Sequence, residues 1–397
     1  MNISYVSFCK IPSFEAKSIQ AMKICQETQK MGHKATFIVP DTKTNFGKDL
    51  KTVWDHYCVS EPFSIHAIPT PIRDFSYYSF PRIITSHFFA YQSVSYARKI
   101  ESDLIYTWHL PTAVLASLKG LPTIYEIHEI SKSFKGQEIL IGYYLSLLCK
   151  GKGFRRFVIL TEALKFDLLK QYPSIFESSQ IITAPDGVEL DQFRNLPIPR
   201  IARKQLGLNF GENIVAGYAG SFYPRKGVKT IFDIAVRCPE IKFLIMGGEP
   251  REYVEFFADK IKKEKLDNVI LKGFVKQNEL PLYLAACDVL LLPNQPSEEK
   301  SSFGDNFIRW TSPMKLFEYM AIGRLIIASD LPVLREVINE KNAVFCPPGD
   351  VISWKLALRN FGKNKGLRNK LSSQARKDVA KYDWPHRVSH CLEDIDL

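Results

Sequence analysis

The sequence predicts an α/β protein built from two Rossmann-like, doubly wound domains. Three observations carry that expectation. Its 397 residues, 46% of them hydrophobic, are enough for substantial cores but more than one core usually holds. Short β-branched runs alternate with helical stretches in both halves, the rhythm of parallel sheets covered by crossover helices. A polar, proline-rich stretch, FRNLPIPRIARKQ at 193–205, falls between the halves and reads as a linker.

In the first half the expected strands are NISYVSF, KATFIVP, DLIYTW, PTIYEIH, RRFVILT and QIITAP. Ser13 is placed to cap a helix whose apolar positions Ala16, Ile19, Met22 and Cys25 recur about once per turn, with Gly32 to end it. ILIGYYLSLLC, residues 139–149, is well short of the about 20 residues a membrane span needs and is expected as a buried helix. The second half repeats the rhythm with IVAGYAG, KFLIMGG, NVILKGF, DVLLLPN, RLIIASD and NAVFCPP. The domains are therefore expected at 1–195 and 196–378. Two such open sheets facing each other would bind a ligand in the cleft outside the carboxyl ends of their strands.

Composition narrows the chemistry. The eight cysteines form no Cys-x-x-Cys pair and no His cluster stands at metal-ligand spacing, so no metal or other cofactor is expected and the thiols read as free, in a reducing compartment. MNISYVSFCKIPSFE lacks the basic start, apolar core and cleavage site of a secretory signal, which points to the cytoplasm. The net charge of +11 suits phosphates, nucleic acid or an anionic membrane. It is spread, with 22 basic against 18 acidic groups in 1–195 (+4) and 31 against 24 in 196–397 (+7), rather than gathered into a nucleic-acid-binding arm.

The candidate site lies just after strands. GYAGSFYPRKG, 217–227, turns through Gly220 and Ser221 and delivers Arg225 and Lys226 before Gly227, offering N–H groups, a hydroxyl and cations to a phosphate; a surface loop is the competing reading. MGGEP, 246–250, ends a strand with Gly247 and Gly248, which admit a close ligand or simply a tight turn. After Gly273, Phe274 offers a face to a planar base and the backbone of Val275 an edge, while Tyr283 reads as core. TSPMKLFEYMAIGRLIIASD, 311–330, puts Glu318 on a short helical run behind Pro313. A carboxylate there can accept two hydrogen bonds from a vicinal diol, or merely face solvent.

Through TSPMKLFEYMAIGRLIIASDLPVLREVI the chain resembles the family 4 glycosyltransferases, enzymes of the GT-B architecture. KMGHKATFIVP, PTIYEIHE, PDGVELDQF, GYAGSFYPRKG, the Gly273 segment and YDWPHR follow in that family's order, so the similarity extends over nearly the whole chain. The resemblance implies that Glu318 grips the donor's ribose, that Lys226 neutralises its diphosphate, and that His128 lies near the transferred sugar. It also makes Ser312, Pro313, Met314, Lys315 and Leu316 donor-binding positions, with the Met314 and Lys315 amides standing in where Pro313 has no N–H to give. The closing helix, 379–397, is expected to pack back on the first domain.

This sequence departs from the family in four places. The family's first glutamate, eight positions before Glu318, is Trp310 here; Ser221 stands where an arginine is common; Ser312 and Pro313 replace a glycine-bearing turn; Pro12 and Ser13 replace paired glycines after the first strand. The function implied is retaining transfer of a sugar from a UDP- or GDP-sugar to a hydroxyl acceptor, without a metal, in cell-surface polysaccharide or glycolipid assembly. A DNA-modifying glycosyltransferase and a non-catalytic nucleotide-sugar-binding protein are the alternatives. A nicotinamide-dependent oxidoreductase is disfavoured because neither SFCKIPSFE nor GYAGSFYPRKG supplies a Gly-x-Gly-x-x-Gly turn. Aromatics and basic groups at 75–99, with Arg73, Arg82, Arg98 and Lys99, and then Lys150, Lys152, Arg155 and Arg156, suit a lipid-linked acceptor at an anionic membrane face as well as an ordinary core.

Overall fold

Two all-parallel sheets organise the chain, in a computed structural model that describes residues 1–41, 50–70, 80–130, 136–176, 181–296 and 307–395. The first sheet holds β1 (Asn2–Val6), β2 (Lys34–Asp41), β3 (Ser64–Pro69), β4 (Leu104–Thr107), β5 (Thr123–Ile127), β6 (Phe154–Ile159) and β7 (Ile181–Thr183) in the order β3-β2-β1-β4-β5-β6-β7. The second holds β8 (Val215–Ala219), β9 (Lys242–Met246), β10 (Val269–Gly273), β11 (Val289–Leu292), β12 (Leu325–Ser329) and β13 (Val344–Cys346) in the order β10-β9-β8-β11-β12-β13. Both are doubly wound, and in each the order reverses beside the first strand, between β1 and β4 and between β8 and β11. Twelve of the thirteen strands fall on runs expected from the sequence; β3, SIHAIP, does not, because a histidine and an alanine separate its two isoleucines and leave no continuous β-branched run.

The chain divides into two compact units, 1–186 with 301–310 and 384–397, and 187–300 with 311–383. In the second unit the alternation of side chains along the strands separates two cores. Val215 and Ala219 of β8 join Leu244, Leu290 and Ile326 on one face. Ala216 and Tyr218 join Phe243, Val289 and Ile327 on the other.

Several local expectations are corrected. The stretch at 193–205 is no free linker: Phe193 and the helix Pro199–Gln205 pack into the second unit, where Ala202 is buried and Arg203 donates to the Ala286 carbonyl at 2.8 Å and to Asp288. Ser13 does not cap the helix Ala16–Lys30, whose N-cap is Glu15; its hydroxyl accepts the Glu15 N–H at 3.0 Å. Ala16 is exposed and Ile19 half-buried, while Ser18, Gln20, Gln26 and Glu27 are buried, so this helix is enclosed on its polar as well as its apolar side. The apolar run at 139–149 forms the helix Gln137–Lys150, yet only Leu145 and Leu148 are buried, and Ile139 is 75% and Tyr143 60% exposed. Among the described residues no helix is long and apolar enough to cross a membrane.

Candidate functional site

The second unit gathers the predicted donor-site residues at the carboxyl ends of its strands. The turn after β8 begins at Gly220, whose φ of +146° is a region L side chains rarely adopt, and ends at Gly227, φ +69°, where a Cβ would run into the Pro293 carbonyl beyond β11. Those two loops meet at the point where strand order reverses. Gln295 fixes them together: its N–H donates to the Arg225 carbonyl at 3.0 Å and its side-chain amide accepts from Thr230 Oγ1 at 3.1 Å. Tyr218 Oη donates to the Ser221 carbonyl at 2.7 Å, and the Arg225 guanidinium lies 4.6 Å from the centre of the Tyr223 ring.

Beyond β9, the Gly247 N–H donates to the Gly273 carbonyl at 2.8 Å, and Gly247 leaves room for the Gly220 carbonyl and the Phe222 ring. A Cβ on Gly248 would stand 3.1 Å from that of Phe274, so the paired glycines let the β10 turn come close. Phe274 itself is 51% exposed and Val275 packs at the edge of the core, with Tyr283 buried in it.

The helix Met314–Ile322 starts directly after Pro313, its N-cap, and ends at Gly323 in the left-handed region. Leu316 is buried and Tyr319 Oη accepts the Ala219 N–H at 2.9 Å, which ties the helix to the end of β8. Ser312 and Met314 are half-buried where the helix begins. Glu318 Oε1 accepts from Gln277 Nε2 at 3.1 Å, and burial raises its pKa. Lys226, half-buried, has its pKa pushed down to about 8 by loss of water and then by Arg225. Lys315 Nζ is 4.1 Å from the centre of the Tyr218 ring and, among the described residues, has no hydrogen-bond partner although it is shut off from solvent. Tyr218, Gln277 and Gln295 were missed in the sequence. Only Gln277, two residues past Val275, carried a signal that could have found it.

His128 belongs to the first unit, just past β5. Its Nε2 stands 2.8 Å from Glu126 Oε1, which also accepts from Gln20 at 2.7 Å and from Arg387 Nη2 at 2.8 Å, while Tyr106 Oη donates to Oε2 at 2.5 Å. Burial alone would raise the Glu126 pKa; Arg387 and the bond from His128 outweigh it and hold the group at about 2. Burial lifts its neighbour Asp186 to about 6. His128 lines a pocket of about 260 Å³ together with Lys17, Trp108, Tyr125, Ile141 and Tyr172. Sequence reasoning missed Glu126 and Arg387, which stand 261 positions apart.

Trp310, at the position of the family's first glutamate, lies in the first unit. It is 2% exposed among Tyr125, Phe157, Leu164 and Leu168, and its Nε1 donates to Asp167 at 2.8 Å.

Residues 200–378 match the sequence profile of the family described as "Glycosyl transferases group 1". A phosphatidyl-myo-inositol mannosyltransferase of Mycobacterium leprae is 25% identical over 227 residues, 55% of this chain and 54% of that protein. A Bacillus subtilis protein named as a glycosyltransferase of teichuronic acid biosynthesis is 27% identical over 157 residues, 38% of this chain and 35% of that one. The chain thus spans about a third to about half the length of these curated relatives. Among solved structures, Anabaena HepE in complex with UDP and glucose superposes with a TM-score of 0.73 at 16% identity, covering 99% of this chain and 100% of that one. Sucrose-phosphate synthase from Thermosynechococcus elongatus gives 0.75 at 17% identity, over 98% and 96%. The fold is the GT-B architecture, and residues 200–378 are similar to the group 1 glycosyl transferases.

Proposed function

We propose that the protein transfers a sugar from a nucleotide-sugar donor, a UDP- or GDP-sugar, to a hydroxyl of a glycan or lipid-linked acceptor. The observation that carries this reading is that the half-buried cation Lys226, in the turn after β8, and Glu318, held by Gln277 on the helix tied to the end of β8, both act on Lys315. Breaking the bond from the anomeric carbon leaves its electron pair on a diphosphate oxygen, and a fixed cation beside that oxygen lowers the barrier. The acceptor oxygen forms the new bond to the same carbon, and its proton passes to the departing phosphate, with retention of configuration. Lys226 and the N-terminus of the helix Met314–Ile322 supply the positive charge, so the reaction needs no metal. Phe274 and Val275 receive the base, and His128 orients the sugar.

The names of the relatives support a place in cell-surface polysaccharide or glycolipid assembly, and the UDP held by HepE supports UDP as the nucleotide. A peripheral contact of the cytoplasmic protein with an anionic membrane fits the first unit. Ile83, Ile84 and Tyr91 on the helix Phe80–Lys99 and Ile139, Leu140 and Tyr143 on Gln137–Lys150 are exposed. The two helices meet where His87 Nε2 lies 2.7 Å from Tyr144 Oη, and Lys150, Lys152 and Arg155 follow. Arg73 and the side chain of Arg82 lie outside the described residues.

Thermal unfolding with UDP, GDP, ADP and NAD tests the reading. UDP or GDP should raise Tm in the wild type, and the rise should largely vanish in Glu318→Ala and Lys226→Ala. Equal stabilisation of all three proteins, or a response to NAD alone, would overturn it.

A further inference from the structure

The helix Met314–Ile322 brings a second cation to the phosphate turn. Lys315 Nζ is enclosed and has no hydrogen-bond partner among the described residues. A buried ammonium without a partner works against folding, and proteins rarely keep one that nothing meets. Its favourable neighbours are the face of Tyr218, 4.1 Å away at the ring centre, and the charge of Glu318, which offsets burial and Lys226 only in part. Glu318 lies one turn along, but its Oε1 is already engaged by Gln277.

The backbone is shaped around this ammonium. Gly220 holds φ at +146°, and a Cβ there would collide with Lys315 Nζ. Any other residue at 220 would thus push the lysine out of the turn that also presents Lys226. Two amines brought into one turn repel each other, unless a group with more than one negative charge sits against both. In this chain the position after Gly220 is Ser221, so no cation enters the turn from that position.

We propose that Lys315 is the second cation of the donor site, its ammonium binding the diphosphate together with Lys226. The inference rests on the donor reading above and goes beyond it, because a role for the Lys315 side chain follows neither from the Glu318 and Lys226 positions nor from the backbone amides of the helix. In the free protein the pKa of Lys315 is held well below the lysine range, by burial and then by Lys226. A bound diphosphate reverses that preference and keeps both amines protonated.

Lys315→Met keeps the aliphatic stem and removes the charge. Calorimetric titration of wild type and variant with UDP, GDP and ADP, and with uridine and guanosine, tests the proposal. The nucleoside diphosphate that binds the wild type should bind the variant about ten- to a hundredfold more weakly, the size of one charge-assisted contact, while the matching nucleoside binds both alike. The ligand-free variant should also melt no lower than the wild type, since the enclosed charge is gone. Gly220→Ala should weaken the diphosphate with no change in charge. Unchanged diphosphate affinity in Lys315→Met overturns the role of Lys315 alone. Equal losses for diphosphate and nucleoside, with a lowered Tm, would make Lys315 a structural residue and also overturn it. A wild type that binds none of the three diphosphates overturns both this inference and the donor reading.

Discussion

Arg387 and His128 share one oxygen: each places a nitrogen 2.8 Å from Oε1 of Glu126. Glu126 and Arg387 are both buried, at 1% and 5% exposure, so the pair is sealed from water. Removing one partner of such a pair strands the other charge and costs about 3–5 kcal/mol. Arg387→Met should therefore lower unfolding stability by that amount in urea. Glu126→Gln in the same background should recover part of it, because the stranded carboxylate is gone. Additive losses in the double variant would show that the two groups do not depend on each other.

The same carboxylate dictates which His128 nitrogen carries a proton. A carboxylate only accepts, so Nε2 must carry a proton and donate. ¹⁵N NMR should show protonated Nε2 at His128. Glu126→Gln replaces this acceptor with a group that can turn its amide toward the ring. Turnover should then fall roughly tenfold or more with little change in donor KM, as a misoriented tautomer demands. A rise in KM with intact kcat would instead place Glu126 in donor binding.

Much of this was legible in the sequence, and the pattern of what was not is physical. Strands with continuous apolar runs, such as KFLIM and LIIAS, announce themselves because both faces are buried. The turn at Gly220 and the helix behind Pro313 are also local, and backbone chemistry gives them away. What escaped depends on contacts distant in the chain. Glu126 finds Arg387 and Gln277 finds Glu318 only after folding. Lys315 sits on the half-buried side of its helix, and its sequence offered an amide at the helix start, not an ammonium turned onto Tyr218. The helix Gln137–Lys150 misled for the opposite reason, since hydrophobicity alone does not say whether a face is covered.

Lys226 gives the site opposite responses to pH with and without nucleotide. In the folded protein its pKa is pushed down to about 8, against 10.5 for an ordinary lysine. Between these values the unfolded chain holds more protons than the folded one, so the stability of the free protein should rise with pH across that window. A bound diphosphate favours the charged amine, so nucleotide affinity should fall as pH climbs through about 8. Melting curves from about pH 7 to about pH 10, with and without UDP, check both signs, and Lys226→Met should weaken both trends, leaving the part that Lys315, whose pKa is also lowered, contributes. Parallel trends in the two sets of curves would remove Lys226 from the site.

Trp310 bears on whether the family's first glutamate can simply be restored. The position is buried in the first unit, where the ring packs with Phe157 and Leu168 and donates to Asp167. A glutamate there would empty an indole-sized volume, lose the bond to Asp167 and set a second carboxylate beside it. Loss of the ring alone costs about 3–5 kcal/mol, and the repelling carboxylates add to that. Trp310→Glu should thus lower Tm sharply while leaving the KM for donor unchanged in the fraction that folds. Trp310→Phe should retain more of the stability, because a phenyl ring still fills much of the indole's volume and Asp167, which loses the Nε1 donor, still has Arg309 at 3.3 Å. If Trp310→Glu instead kept its Tm and tightened donor binding, residue 310 would reach the donor. The contact with the transferred sugar would then come from the same position as in the family, and not from other groups.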